Sequence, residues 1–207
     1  MVESSNQGSG RAFQLTSFNS SLILRIMLFL KNAAINTAIL ATYYALHSLL
    51  ASDFLKQRTP VRSETYRKFY ILFAILTAGL AYGAWTPLSN HYSLNAIGTL
   101  ISLIGLIGLI WTAKHMDLGV FFGLHSEVSA KLTTNGPYRW MRHPTYTFTL
   151  CLGVTPWPSR DSMLFVGVTL VYAIVGSSLE EARLIKVFGN SYRSYQKRTS
   201  RLIPGII

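Results

Sequence analysis

The sequence predicts an all-α integral membrane protein of about five transmembrane helices, with a C-terminal helical hairpin and a cytosolic tail. Three observations lead there. Half of the 207 residues are apolar and only 13% are charged, against about a quarter in an ordinary soluble domain. The apolar residues gather into blocks long enough to cross a hydrocarbon core of about 30 Å. The 19 Lys and Arg residues, set against 8 Asp and Glu, fall mainly in the gaps between those blocks, where membrane proteins keep cytoplasmic charge. The apolar content excludes a disordered chain. Cys151 is the single cysteine, which excludes a disulfide scaffold. No self-similar period of about 20–50 residues marks a repeat array. The net charge of +11 does not point to nucleic acid, because no reader motif or zinc ligand set accompanies it.

Residues 1–31 form an N-terminal segment read as interfacial or disordered. Its part 20–31, with Arg25 and Lys31, suits an amphipathic helix along the interface. No cleavable signal peptide is expected, since the apolar stretch begins late and lacks a small-residue cleavage site. Residues 32–207 form a single membrane domain. Its first three spans are 32–52, 69–85 and 94–113. The next apolar block is too long for one helix. It is interrupted at Thr155-Pro156-Trp157-Pro158-Ser159-Arg160-Asp161, and two prolines with two charges read as a turn at a membrane surface. That divides the block into spans 144–156 and 162–180, a hairpin followed by the tail 181–207. The first arm is short, and crosses only where the protein is thin or lines a cavity. Gly98, Gly105 and Gly108 in span three read as close-packing positions between helices.

Charge sets the orientation. Lys56, Arg58, Arg62, Arg67 and Lys68 follow span one. Lys114, Lys131, Arg139 and Arg142 follow span three. Arg183, Lys186, Arg193, Lys197, Arg198 and Arg201 occupy the tail. Five spans put all of these on one side, and of the two opposite loops only the hairpin turn holds a basic residue, Arg160. The C-terminus is therefore expected in the cytoplasm. Arg11, Arg25 and Lys31 lie on the other side in this arrangement.

Polar residues concentrate in two places. The first is Asn135-Gly136-Pro137-Tyr138-Arg139-Trp140-Met141-Arg142-His143-Pro144-Thr145-Tyr146. Pro144 suits the first turn of a helix, where its missing N–H costs nothing, which places His143 at the cap. The free N–H groups beyond it attract negative charge, and Arg139 and Arg142 add donors for a carboxylate. The plain alternative is a basic loop ending in a helix cap. The second cluster is Glu180-Glu181, followed by Phe188-Gly189, Tyr192 and Tyr195. Carboxylates at a helix C-terminus oppose the macrodipole, so two of them together are costly as structure alone. Adjacent residues lie about 100° apart on a helix, so at most one faces a given pocket, to bind a cation or sugar hydroxyls. The alternative is a pair of solvated residues. A hairpin brings both clusters to the cytoplasmic surface, and such a pocket suits a zwitterionic, ribose-bearing ligand.

The run Gly136-Pro137-Tyr138-Arg139-Trp140-Met141-Arg142-His143-Pro144-Thr145-Tyr146, then Glu180-Glu181, Phe188-Gly189, Tyr192, Tyr195 and Pro204, resembles the isoprenylcysteine carboxyl methyltransferase and phospholipid methyltransferase superfamily. The front half is similar to one branch, the NnrU-like proteins and methanethiol S-methyltransferases. There the likeness rests on His47-Ser48-Leu49-Leu50-Ala51-Ser52 before Lys56, Tyr66-Arg67, Asp117-Leu118-Gly119 and Thr155-Pro156.

The resemblance implies S-adenosylmethionine as cofactor and an active site at the cytosolic face of a multi-pass protein in a bacterial inner membrane. It assigns cofactor binding to Arg142, His143, Pro144, Tyr146, Glu180 and Glu181. Glu180 or Glu181 takes the ribose or amino group. Arg142, His143 and the backbone after Pro144 take the carboxylate end or the adenine side, and Tyr146 forms a wall. Arg139 and Arg183 are the candidate catalytic residues, positioning an anionic acceptor. His47 and Phe148 are candidates for the substrate pocket. Phe148 stands where many members carry Gly, and so narrows or shifts that pocket. The acceptor is expected to be a small thiol, an isoprenylcysteine-type carboxylate or a lipid amine, with the front half favouring the thiol. A non-catalytic NnrU-like accessory protein and a sterol-type membrane reductase are the other readings. His47, His115 and His125 are too irregularly spaced for a metal or haem site, so no metal is expected. Cys151 reads as a small packing residue.

Overall fold

The computed structural model describes residues 6–88, 95–122, 124, 131–154 and 159–206, with side chains from residue 20 onward except at position 120. The described regular structure is helical. The helices are α1 (Asn6–Ala51), α2 (Asp53–Lys56), α3 (Ser63–Gly83), α4 (Ala96–His115), α5 (Leu118–Phe121), α6 (Pro144–Leu152), α7 (Arg160–Phe188) and α8 (Asn190–Gln196). A short 3-10 turn, Gly136–Arg139, precedes α6. Three helices are long and apolar enough to cross a membrane: the stretch Ser20–Ala51 of α1, α4 and α7.

Local chemistry sets the helix ends. The Asn95 side chain accepts the Gly98 N–H at 2.7 Å and starts α4. Lys114 and His115 end it, where positive charge meets the C-terminal dipole. Ser159 and Ser162 form a reciprocal capping box at the start of α7. Gly189 at φ 56 turns the chain from α7 into α8, a conformation that glycine adopts without steric cost.

The helices depart from the sequence reading in three places. First, α1 runs unbroken across position 31, where a boundary was expected. No Gly or Pro lies between Ser20 and Ala51 to stop it. Second, α3 begins at Ser63, well ahead of 69. Glu64, Arg67 and Lys68 form its polar first turns, so its apolar stretch starts only at Phe69. Third, α6 ends at Leu152 after nine residues, a length of about 14 Å, less than half a hydrocarbon core. The turn residues Thr155, Pro156, Trp157 and Pro158 lie outside the described residues, as do His125 and most of loop 86–93.

Packing is inverted relative to a soluble domain. Leu80 is 72% exposed, Ile97 68% and Phe69 65%, whereas Asn36, Thr112, Thr169, Ser177 and Glu181 are buried. An apolar exterior around a polar interior is what a bilayer selects. One end of the bundle is tied by a polar knot. Asn36 of α1 exchanges hydrogen bonds with the Thr86 backbone at 2.7 and 3.0 Å. Asp161, in the first turn of α7, accepts from Trp85 Nε1 at 2.8 Å and from the Leu88 N–H at 3.0 Å. Since α7 begins at this knot, it carries Glu180 and Glu181 to the opposite end.

α6 lies directly on α4, and the glycines make that approach possible. A Cβ on Gly105 would stand 2.6 Å from the Leu152 backbone nitrogen, and one on Gly108 would enter the Phe148 ring. Gly108→Val is therefore expected to destabilise the protein by about 1–3 kcal/mol, the usual cost of overpacking. The readout is a lowered thermal midpoint in detergent.

Candidate active site

The site begins where the chain enters α6. Gly136 (φ 58) sits against the His115 ring with no room for a side chain. Pro137 is buried. His143 is the N-cap of α6 and Pro144 its first residue, fully buried, as the Arg-His-Pro order leads one to expect.

The tail is sewn to this corner. Arg142 N–H donates to the Ser200 carbonyl at 2.9 Å, His143 N–H to Arg201 at 3.0 Å, and Ser200 N–H to Trp140 at 3.2 Å. The Tyr195 hydroxyl donates to the Tyr138 carbonyl at 2.6 Å, and Thr147 Oγ1 to the Leu202 carbonyl at 2.8 Å.

Glu181 is the centre of the resulting clasp. Its Oε1 accepts from Arg142 Nε at 2.6 Å and lies 3.2 Å from His143 Nε2. Its Oε2 accepts from Gln196 Nε2 at 2.9 Å and from Arg201 Nη2 at 3.4 Å. Each oxygen thus has two protein partners, and the side chain is 5% exposed. Arg142 is equally committed, with Nη1 donating to the Gln196 carbonyl at 3.2 Å and to the Thr199 carbonyl.

Glu180 is different. Its side chain is 49% exposed, and Oε2 lies 3.4 Å from His143 Nδ1. The two glutamates therefore hold both nitrogens of one buried imidazole. Burial pushes the His143 pKa down, but hydrogen bonds and charge from Glu180 and Glu181 outweigh it and raise the pKa above its ordinary 6.5. Burial, aided by the Glu180 charge, also pushes the nearby Tyr138 hydroxyl up to about 12.

The His143 shift has a stability consequence. A folded-state pKa above the unfolded value means the cluster contributes fully below about pH 6.5 and loses that contribution as pH rises through the folded pKa. The thermal midpoint is expected to fall with rising pH above that value. In His143→Gln this component of the pH dependence should be missing.

An aromatic path leads away from the corner. Tyr146 lies 5.8 Å from His143 and 5.8 Å, edge-on, from Tyr172 of α7. Tyr172 stacks on Tyr44 of α1 at 4.1 Å. Tyr44 touches Tyr43 at 5.3 Å, Tyr43 touches His47 at 6.0 Å, and His47 touches Tyr70 of α3 at 5.1 Å. Hydroxyls link the same helices: Tyr44 to Thr169 at 2.7 Å, Ser48 to Tyr172 at 3.2 Å, and Tyr70 to His47 Nε2 at 2.6 Å.

The structure thus brings together Arg142, His143, Pro144, Tyr146, Glu180 and Glu181, with His47 further along the aromatic path. Phe148 is not on that path; its ring is turned onto Gly108 of α4. Arg139 is exposed and lines a shallow surface cleft with Trp140, Lys197 and Arg198. Arg183, one turn beyond Glu180, is 3.7 Å from Asp53 of α2. The sequence reading missed Tyr43, Tyr44, Tyr70, Tyr172, Gln196 and the clasp role of Arg201. A signal was present for some: Tyr43, Tyr44, His47 and Ser48 recur at three- and four-residue spacing, and Tyr172, Gly176 and Glu180 at four-residue spacing, so each set shares one helix face.

The phospholipid methyltransferase family model matches residues 93–191, which include the first polar cluster and, of the second, Glu180, Glu181, Phe188 and Gly189. Methanethiol S-methyltransferase 1 of Bradyrhizobium diazoefficiens is 31% identical over 82% of this chain and 66% of its own length. Methanethiol S-methyltransferases of Crocosphaera subtropica and Pseudomonas deceptionensis are 26% and 28% identical, over 83% and 81% of this chain and 74% and 71% of their own lengths. The chain thus spans about two thirds to three quarters of the relatives it matches. No solved structure matches it. The chain is thus similar to the phospholipid methyltransferase family over residues 93–191 and to methanethiol S-methyltransferases over most of its length.

Proposed function

We propose that this protein is a membrane methyltransferase that uses S-adenosylmethionine and methylates a small thiol. One observation carries the reading: His143 and the Glu180-Glu181 pair, far apart in the chain, form a single charged cluster within 3.4 Å. Similarity to the family and the names of the methanethiol-methylating relatives support the reaction and the acceptor.

The residues fit such a cofactor. Glu180 offers a half-exposed carboxylate whose Oε1 has no partner among the described residues, suited to ribose hydroxyls or an ammonium. The first-turn N–H groups of α6 suit a carboxylate. The Tyr146 and Tyr172 rings suit a sulfonium, because a cation within about 6 Å of an aromatic face is attracted to it. Glu181 and Arg142, saturated by each other and by the tail, hold the corner in shape rather than reach for a ligand. S-adenosylmethionine, when bound, supplies a methyl group already activated on positively charged sulfur. The chain's own work is to orient the acceptor in line and to exclude water.

The topology that accompanies this reading has five crossings, with α6 and α7 as a hairpin. The clasp and C-terminus then face the cytoplasm of a bacterial cell, and the acceptor enters along the tyrosine-lined path towards α1 and α3. The test is incubation of the purified protein with methyl-labelled S-adenosylmethionine and a pool of thiols, prenylcysteines and lipid amines. Label in a volatile thioether is the expected result. Binding of S-adenosylmethionine with label only in lipid, or in no acceptor, overturns the thiol assignment.

A further inference from the structure

We infer that the His47–Tyr70 pair is the base that takes the proton from the thiol acceptor. This rests on the thiol reading above and extends it to a residue role. Only a thiolate is a competent sulfur nucleophile, and a thiol near its ordinary pKa of about 8.5 is mostly protonated at neutral pH. A thiol methyltransferase therefore needs somewhere to put a proton.

The described histidines leave one place. His143 has both ring nitrogens facing carboxylates, at 3.4 and 3.2 Å, so it serves as a donor to Glu180 and Glu181. His115 Nδ1 is 2.9 Å from the Trp111 carbonyl, and the ring is packed beneath Gly136. Glu181 is saturated, and Glu180 is assigned to the cofactor. His47 is half-buried, and its Nε2 lies 2.6 Å from the Tyr70 hydroxyl. The same hydroxyl lies 3.3 Å from Nδ1; with the Nε2 hydrogen donated across the shorter contact to the Tyr70 oxygen, Nδ1 keeps its lone pair for the acceptor. The Tyr70 oxygen then stabilises the imidazolium that forms, as a carboxylate orients a catalytic histidine elsewhere.

Position supports the same role. Ser48, the next residue on α1, donates to the Tyr172 hydroxyl at 3.2 Å, and Tyr172 contacts Tyr146 beside His143. His47 is thus joined to the candidate methyl-donor site by contiguous side chains. The balance closes within the pair and the two substrates. The S–H bond breaks and its proton goes to His47 Nδ1. The sulfur electron pair forms the new S–CH3 bond, the old carbon–sulfonium bond breaks, and its electrons remain on the departing sulfur. His47 returns the proton to water.

The experiment compares wild type, His47→Gln and Tyr70→Phe with two acceptors: methanethiol, and an arenethiol already ionised at the assay pH. S-adenosylmethionine affinity is measured for each by equilibrium dialysis. Thiolate absorbance of bound methanethiol is recorded without any methyl donor. General-base catalysis contributes about 10²–10⁴-fold. His47→Gln is expected to lose about 10²-fold or more in kcat/KM for methanethiol and to retain arenethiol turnover. Its cofactor affinity stays unchanged, and the thiolate absorbance seen with wild type disappears. Tyr70→Phe should show a smaller loss of the same kind. Equal losses on both acceptors with cofactor binding intact would overturn the inference, because that pattern is lost packing. So would full activity of His47→Gln on methanethiol. If wild type methylates neither thiol, the thiol reading itself has failed and this inference falls with it.

Discussion

Glu181→Ala is expected to be the most damaging single substitution in the protein. It leaves Arg142, whose side chain is 9% exposed, charged and without its carboxylate, and it strips His143, Gln196 and Arg201 of the same partner. Breaking a buried ion pair by removing one member costs about 3–5 kcal/mol, a large part of the marginal stability of a typical domain. The tail 195–202 should come away from the corner together with the Trp140, Arg142 and His143 backbone bonds. Thermal unfolding in detergent and limited proteolysis of the tail read this directly. A midpoint within a degree or two of wild type would show that the clasp is not what holds the site. Glu181→Gln keeps the shape but not the charge, and should fall between Ala and wild type.

Glu180→Gln should do the opposite, losing ligand and keeping fold. The side chain is half-exposed and its one protein partner, His143, retains Glu181. Stability is therefore expected to change by less than about 1 kcal/mol, as for exposed pairs. A hydrogen bond to a charged group contributes about 1.5–3 kcal/mol, so S-adenosylmethionine affinity should fall about 10–100-fold. Isothermal titration of the two variants side by side separates them. Loss of stability in Glu180→Gln with affinity preserved would reverse the roles assigned to the adjacent glutamates.

That division of labour was the part of the site the sequence did not carry. The corner itself was legible, because Pro144 has a local preference that places His143 at the cap whatever surrounds it. The meeting of the two clusters was legible once Glu180 and Glu181 were placed at the end of a helix that starts at the far side of the bundle. Which glutamate is buried depends on the rotation of α7 and on the path of the tail. Gln196 and Arg201 carry no motif that says they fold back onto a carboxylate. Phe148 shows the same limit: standing where the resemblance has Gly, it reads as narrowing or shifting the substrate pocket, whereas its ring is seated on Gly108 of α4. The helix ends differ from the span bounds for a simpler reason. Hydropathy marks where lipid contact begins, while a helix continues until a breaker or an unsatisfied turn stops it. Hence α1 passes through Arg25 and Lys31, and α3 starts in a charged turn at Ser63.

The central claim is that the His143 corner and the end of α7 form one chamber around one cofactor. Ultraviolet cross-linking of methyl-labelled S-adenosylmethionine to the purified protein in detergent, with the labelled peptides then mapped, tests it most directly. The account predicts label in both segments, around Tyr138–Tyr146 and around Tyr172–Glu180, competed away by unlabelled cofactor and sharply reduced in Glu180→Gln. Competable label confined to one segment, or lying in the tail cleft beside Arg139 and Lys197, would contradict it.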